Sequence, residues 1–406
     1  MPAQIFQLHS KDSTDISSEI RDGLMRPVGQ KQLPTMLLYD ERGLRLYDDI
    51  TTMAPEYYLF GAEEEILKNN ANDIVRAMHN GDEQVSTDEV VLELGAGALR
   101  KTSHLLLGLS RLVPETSSRA PITYYALDLE EREIERTLGE ISASNVGKSL
   151  QGRVETKGIC GTYDEGLKFV EQGGLFDAHH NQLSPSAFST LSLRDASPIS
   201  SDASSATSSK LSMSSPPSTP GDVQVPLHIL FLGSSLGNFS RKGAACFLRS
   251  LPLRPGMGDT LLLGMDHDND KAVIEEAYND PKGYTRQFIM NGLRAAGRAL
   301  GDESMFDENK WEYVNRYNIV SIFHFLGIYS LMQNMFRSNV DLSSLCEIHR
   351  HTYTFLGQHE AYFKSKSAQS IKDPLTKQEI VFLPEEMLKI EESFKVCFVP
   401  GLLFYH

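Results

Sequence analysis

Apolar and polar positions along this chain switch repeatedly between two periods. Val90-Val91-Leu92-Glu93-Leu94 is a short, almost unbroken apolar run. Gly95-Ala96-Gly97-Ala98-Leu99-Arg100-Lys101-Thr102 interrupts it, and His104-Leu105-Leu106-Leu107-Gly108-Leu109 resumes at helical spacing. This predicts a strand, a tight turn and a helix. The pattern returns in Ile122 to Leu129, a strand ending in Asp128, and more weakly in Val154 to Cys160, which leads into Gly161-Thr162-Tyr163. Val225 to Leu232 reads as a buried strand running into Gly233-Ser234-Ser235-Leu236-Gly237-Asn238. A helix over Lys242–Leu251 and a strand over Thr260–Asp266 follow. Strands alternating with helices predict an α/β fold with a doubly wound, Rossmann-like parallel sheet.

The flanks read differently. Residues 1–35 are polar and mixed. Asp40 to Gly43 is a turn signal, and Leu44, Tyr47 and Ile50 have helical spacing. Helical patterns cover Ala62 to His79, Lys271 to Asn279 and Tyr284 to Leu300, and Leu388 to Lys395 has strand-like features. Residues 182–220 are dominated by Ser, Pro, Thr and Ala, which bury too little apolar surface to offset their ordering entropy. They predict a disordered insertion. Ser184, Ser197, Ser215 and Thr219 each precede proline there, a pattern for phosphorylation or simply that of a spacer.

Composition narrows the partners. The chain has 406 residues, 40% of them apolar, and a formal net charge of −15. Such acidity argues against nucleic acids and anionic membranes, and leaves small molecules and proteins. No signal segment and no apolar span of about 18 residues is visible. Cys160, Cys246, Cys346 and Cys397 show no C-x-x-C pair, which suggests neither disulfides nor zinc. A cytoplasmic protein without an obligate protein partner or metal is expected.

The first glycine turn is the strongest chemical signal. Arg100 stands where a dinucleotide fingerprint needs its third glycine, and there is no G-x-x-x-x-G-K-[ST] loop. An acid ending the strand, followed by small residues, suits a ligand with hydroxyls and no phosphates, of which S-adenosylmethionine is the commonest; a turn without ligand is the alternative. Asp128 is placed to accept from ribose hydroxyls, or to cap the helix beginning near Glu130. Thr162 and Tyr163 would flank an adenine, or serve structure alone. Asn238 ends a central strand where an amide holds substrate, or is turn chemistry. Tyr57 and Tyr58 line a site or merely pack.

Leu38-Tyr39-Asp40-Glu41-Arg42-Gly43 with Glu56-Tyr57-Tyr58, Glu93-Leu94-Gly95-Ala96-Gly97 with Lys101-Thr102, and Ala126-Leu127-Asp128 belong to one set. Phe231-Leu232-Gly233-Ser234-Ser235-Leu236-Gly237-Asn238, Ala277-Tyr278-Asn279-Asp280 and Glu391-Glu392-Ser393-Phe394-Lys395 complete it. With these motifs the chain resembles the S-adenosylmethionine-dependent histidine-specific methyltransferases, notably the methyltransferase part of fungal ergothioneine biosynthesis enzymes. The likeness spans residues 33–317 and 358–395, apart from the Ser/Pro insertion. It implies trimethylation of the α-amine of L-histidine to the betaine hercynine, the precursor of ergothioneine. By position, Glu93, Gly95, Gly97, Lys101, Asp128, Thr162 and Tyr163 would hold the cofactor. Asn238 and Tyr278 would hold the substrate carboxylate. Tyr39 and Tyr57 would surround the amine and ring as catalytic residues, and Glu391 and Ser393 would read the imidazole. Their i, i+2 spacing puts those last two on one face of a strand.

The resemblance also implies a second, smaller α/β substrate domain, built from residues 1–59 and 269–395 around a cofactor domain at 60–268. Two stretches depart from the pattern, as translated intron sequence would. Residues 318–357 interrupt the second domain, and 396–406 stand where the last sheet strands should be, so those strands are expected to be missing. Two rival readings stay open. One is N-methylation of another amino acid amine, such as 4-dimethylallyltryptophan. The other is an inactive, cofactor-binding protein.

Overall fold

The computed structural model describes residues 3–8, 16–82, 85, 88–114, 120–175, 225–267, 269–321, 355–395 and 402–405. The predicted Ser/Pro insertion with Ser184, Ser197, Ser215 and Thr219, the middle of the 318–357 stretch and most of the tail lie outside these residues.

Six strands form one parallel sheet: β1 (Ile5–Gln7), β2 (Glu89–Leu94), β3 (Ile122–Asp128), β4 (Val154–Cys160), β5 (Leu227–Phe231) and β6 (Thr260–Gly264), ordered β1-β4-β3-β2-β5-β6. Every residue of β2, β5 and β6 is buried, which explains their nearly continuous apolar runs, since a parallel sheet is covered on both faces. Between the strands run α1 (Ile16–Leu24), α2 (Glu41–Met53), α3 (Tyr58–Met78), α4 (Thr102–Leu112), α5 (Glu131–Ala143), α6 (Asn145–Leu150), α7 (Tyr163–Glu171) and α8 (Arg241–Arg249). One face packs on α3, α4 and α5 through Val75, Leu105, Leu109, Ile134 and Leu138. The other packs on α7 and α8 through Leu167, Val170, Phe247 and Leu248. The sheet is therefore doubly wound. Ile5–Gln7 pairs with β4, so the first residues belong to this sheet rather than to the substrate domain. The apolar pair Ile5-Phe6 is long enough to add an edge strand.

The second unit has its own core. After α9 (Lys271–Ala277) and α10 (Tyr284–Leu300) come β7 (Trp311–Ser321), β8 (Phe355–Ser365), β9 (Gln369–Lys372), β10 (Glu379–Phe382) and β11 (Met387–Lys395). β7, β8 and β11 form an antiparallel sheet in the order β11-β8-β7. Leu38, Ile50, Phe288, Leu293, Trp311, Phe363, Leu388 and Ile390 join α2, α10 and this sheet in one cluster. Both ends of the 318–357 stretch continue the β7–β8 hairpin, with Asn318 opposite Gln358 and Ser321 opposite Phe355. Nor does the chain beyond Lys395 leave the first sheet bare. β12 (Leu402–Tyr405) pairs antiparallel with β6 and adds a seventh strand.

β11 carries one irregularity that matters for the site. Lys389 lies opposite Tyr362 and Glu391 opposite Ala361, so Ile390 is an extra residue, a β-bulge. Before it, Leu388 and Ile390 are buried; after it, Glu391, Ser393 and Lys395 are buried in their turn. The bulge turns the odd-numbered residues inward.

Candidate active site

A cavity of about 370 Å³ runs from the carboxyl ends of the parallel strands to β11. The residues expected at the cofactor, the substrate and the reacting amine line it, except Glu93; Tyr58 does not.

At the glycine turn, Gly95 and Gly97 have φ of +72° and +55°, a conformation that side chains resist. A Cβ on Gly95 would stand 2.6 Å from the Tyr163 hydroxyl, while the space over Gly97 is open. Asp128 ends β3, accepting from the Gly97 N–H at 2.9 Å and the Leu129 N–H at 2.8 Å. Burial raises its pKa. Thr162 caps α7 in a reciprocal capping box with Glu165, so its hydroxyl already has a partner. The Tyr163 ring stands edge-on to Phe231, centroids 5.5 Å apart.

Glu93, expected at the cofactor, does not line the cavity. Strand alternation turns its side chain away from the cavity, where it accepts from Thr102 Oγ1 at 2.8 Å and from the Tyr124 hydroxyl. Burial pushes its carboxyl up to about 7. It ties β2 to β3 and to the start of α4. Lys101 reaches the cavity wall, but its ammonium is paired with Glu63 of α3. Glu63 also accepts from the Gly233 N–H at 3.0 Å, so the pair joins α3, α4 and the loop after β5.

The second unit and the segments packed on it close the cavity with aromatic rings. Tyr39 and Phe288 meet at 5.6 Å, Tyr39 and Tyr47 at 6.3 Å, Tyr47 and Tyr57 at 6.1 Å, and Tyr57 and Tyr278 at 5.8 Å between centroids. Burial holds the phenols of Tyr39 and Tyr57 well above their ordinary pKa, so both are neutral. Tyr47 was read from the sequence only as a helix-spacing residue, yet it joins this wall.

At the far end lie Asn238, Tyr278, Glu391 and Ser393. The turn carrying Asn238 abuts β11 closely; a Cβ on Gly237 would stand 2.7 Å from the Phe394 carbonyl oxygen. Glu391 is 7% exposed and makes no hydrogen bond among the described residues. Burial raises its carboxyl to about 7, against the pull of the Lys395 ammonium. Sequence reasoning missed Lys395, Asp266 and His359. Lys395 pairs with Asp266 at 2.7 Å and donates to the Tyr278 hydroxyl at 2.6 Å. His359 stacks on the Tyr278 ring. The signal for Lys395 was available: it continues the i, i+2 series of Glu391 and Ser393.

The comparisons agree with this geometry. The profile of the histidine-specific, S-adenosylmethionine-dependent methyltransferases matches residues 16–187 and 213–349. The chain belongs to that family and is an S-adenosylmethionine-dependent methyltransferase. It is 35% identical to the L-tryptophan methyltransferase of Psilocybe serbica over 76% of this chain and 74% of that one. It is 31% identical to ergothioneine biosynthesis protein 1 of Schizosaccharomyces pombe over 90% of this chain, which spans only 34% of that protein. It is 28% identical to the histidine N-alpha-methyltransferase of Mycobacterium tuberculosis over 71% of this chain and 67% of that one. The cavity fits the methyl donor. The glycine turn would give it an open backbone cradle, Asp128 an acceptor for ribose hydroxyls, and Tyr39 and Tyr57 neutral faces for the sulfonium.

Proposed function

We propose that the chain methylates the α-amine of L-histidine, successively to the trimethylated betaine hercynine. The observation that carries this reading is Glu391, a buried carboxyl without a hydrogen-bond partner among the described residues, beside Ser393 on the cavity wall. An imidazole offers one N–H donor and one ring-nitrogen acceptor. Glu391 takes the first and the Ser393 hydroxyl serves the second. A ligand lacking either would leave a buried polar group unpaired, which discriminates strongly.

The bound cofactor supplies an electrophilic methyl group on a sulfonium. The protein supplies alignment, neutral surroundings and exclusion of water. Asn238 and Tyr278 hold the carboxylate, which sets the amine against the tyrosine wall. Tyr39 and Tyr57 are neutral, and together with Tyr47 they present π faces and hydroxyls. Cation–π attraction, about 0.5–2 kcal/mol, keeps the increasingly alkylated nitrogen in place through three transfers.

The second reading is an indole amino acid, tryptophan or its 4-dimethylallyl derivative, favoured by the 35% identity to a tryptophan methyltransferase. An indole N–H satisfies Glu391 but gives Ser393 no acceptor. The test is to incubate the protein and S-adenosylmethionine with each amino acid and identify the methylated products by mass spectrometry. Mono-, di- and trimethylated histidine supports the first reading; methylated tryptophan alone replaces it with the second. Cofactor binding by calorimetry with no product overturns both in favour of an inactive protein.

A further inference from the structure

The polar end of the cavity holds a cation that the reaction as described does not use. Lys395 is fully buried. A buried ammonium is costly unless each of its three donors finds a partner. They do: Asp266 Oδ2 at 2.7 Å, Tyr278 Oη at 2.6 Å and Ser393 Oγ at 3.3 Å. Asp266 balances the charge and accepts from the Tyr58 hydroxyl at 3.1 Å. The other two partners are hydroxyls on the cavity wall.

A hydroxyl that accepts from an ammonium keeps its own proton to donate. The Tyr278 hydroxyl has Ser393 Oγ within reach at 3.5 Å, at the limit of a hydrogen bond. Its ring plane is fixed from the other side, since the His359 imidazole stacks on it at 3.7 Å and 15°. With the Lys395 ammonium as its donor, the Tyr278 hydroxyl keeps its proton to give either to Ser393 Oγ or to an acceptor in the cavity, one bond away from a buried positive charge. The other cations at the cavity beside the glycine turn, Arg100 and Lys101, are taken by Asp48 and Glu63. The acceptor best served by such a donor is a carboxylate.

We propose that Lys395 is a positioning residue: by donating to Tyr278 it fixes that hydroxyl as a donor toward the substrate carboxylate, so that this end selects amino acids over the corresponding amines. The proposal rests on the amino-acid reading above and adds the group that enforces it. Calorimetric titration with L-histidine and with histamine, in the presence of S-adenosylhomocysteine, tests it. Lys395→Met weakens L-histidine about tenfold to a hundredfold and histamine less than about threefold. Tyr278→Phe shows the same selective loss. The double variant Lys395→Met/Tyr278→Phe loses little more than Tyr278→Phe alone, because the lysine acts through the hydroxyl. Lys395→Met/Asp266→Asn leaves no unpaired carboxylate and serves if the single variant fails to fold; its S-adenosylhomocysteine affinity reports an intact cofactor half. Equal losses for acid and amine, or additive losses in the Tyr278 double variant, overturn the proposal. A wild type that binds L-tryptophan and not L-histidine overturns the histidine reading instead, and the tryptophan–tryptamine pair then decides on Lys395 by the same criterion.

Discussion

The imidazole of His359 lies face to face with the phenol of Tyr278, centroids 3.7 Å apart and 15° from parallel. Neither imidazole nitrogen has a hydrogen-bond partner among the described residues. Burial, with the Lys395 ammonium adding to it, holds His359 well below its usual pKa, so it stays neutral. What the ring contributes is a flat surface. His359→Phe keeps that surface and removes two unpaired buried nitrogens, and is expected to be neutral or stabilising by about 1 kcal/mol. The unfolded chain binds a proton here below about pH 6.5 that the folded one refuses, so this residue costs stability as pH falls. Thermal melts from pH 5 to 8 should show the Phe variant gaining most on the acid side.

Glu391 titrates at about 7, raised by burial. Its ionised form is the one that accepts an imidazole N–H, so the acid limb of kcat/KM for histidine should rise through that pH. Glu391→Gln should lose the limb and lower kcat/KM about tenfold to a hundredfold. The folded protein binds a proton at Glu391 between the ordinary carboxyl pKa, 4.5, and about 7 that the unfolded chain releases, so this residue costs stability as pH rises across that window. A pH–rate profile with an unchanged acid limb in the Gln variant would reassign the ring-reading role.

Tyr57 sits between Tyr47 and Tyr278 in the aromatic wall. Tyr57→Phe retains the π face and should still yield trimethylated product. Tyr57→Ala removes it and should release mono- and dimethylated intermediates, with the last transfer slowed about tenfold. The product distribution over time, read by mass spectrometry, separates the two.

At the opposite end of the sheet, His79 Nε2 contacts Glu89 Oε2 at 2.7 Å while its Nδ1 contacts the Val75 carbonyl oxygen at 2.7 Å. Both nitrogens face acceptors, which favours the doubly protonated ring. Burial opposes this, but Glu89 raises the His79 pKa overall. Burial likewise opposes ionisation of Glu89, yet His228 and His79 hold its carboxyl at about 2. The Glu89 contribution is present above its ordinary 4.5 and fades as pH falls toward about 2. The His79 contribution is full below its ordinary 6.5 and fades as pH rises through the raised value. Glu89→Gln should therefore destabilise most between about pH 4.5 and 6.5. A melting-temperature deficit independent of pH would remove the pair from the account.

The cofactor half was legible because its signals are local. Val90 to Lys101 contains a complete strand, turn and helix start, and burial on both faces writes parallel strands as apolar runs. Glu93 misled because a strand-end acid looks the same whether it faces the ligand or the core; only the position of Tyr124 and Thr102 decides. At the far end of the cavity the lining residues were legible but not their network. Lys395 continues the i, i+2 series of Glu391 and Ser393, but Asp266 lies far from it in sequence, and their pairing leaves no local trace. Nothing local to His359 in the sequence announces that Tyr278 stacks on it.

The extra residue at Ile390 divides β11 into two halves with separate duties. Leu388 and Ile390 belong to the hydrophobic cluster, while Glu391, Ser393 and Lys395 face the cavity network. The half proposed to read the substrate can thus change its side chains without disturbing the half that anchors the strand. One scaffold is thereby open to exchange of substrate by a few substitutions in a single pentapeptide.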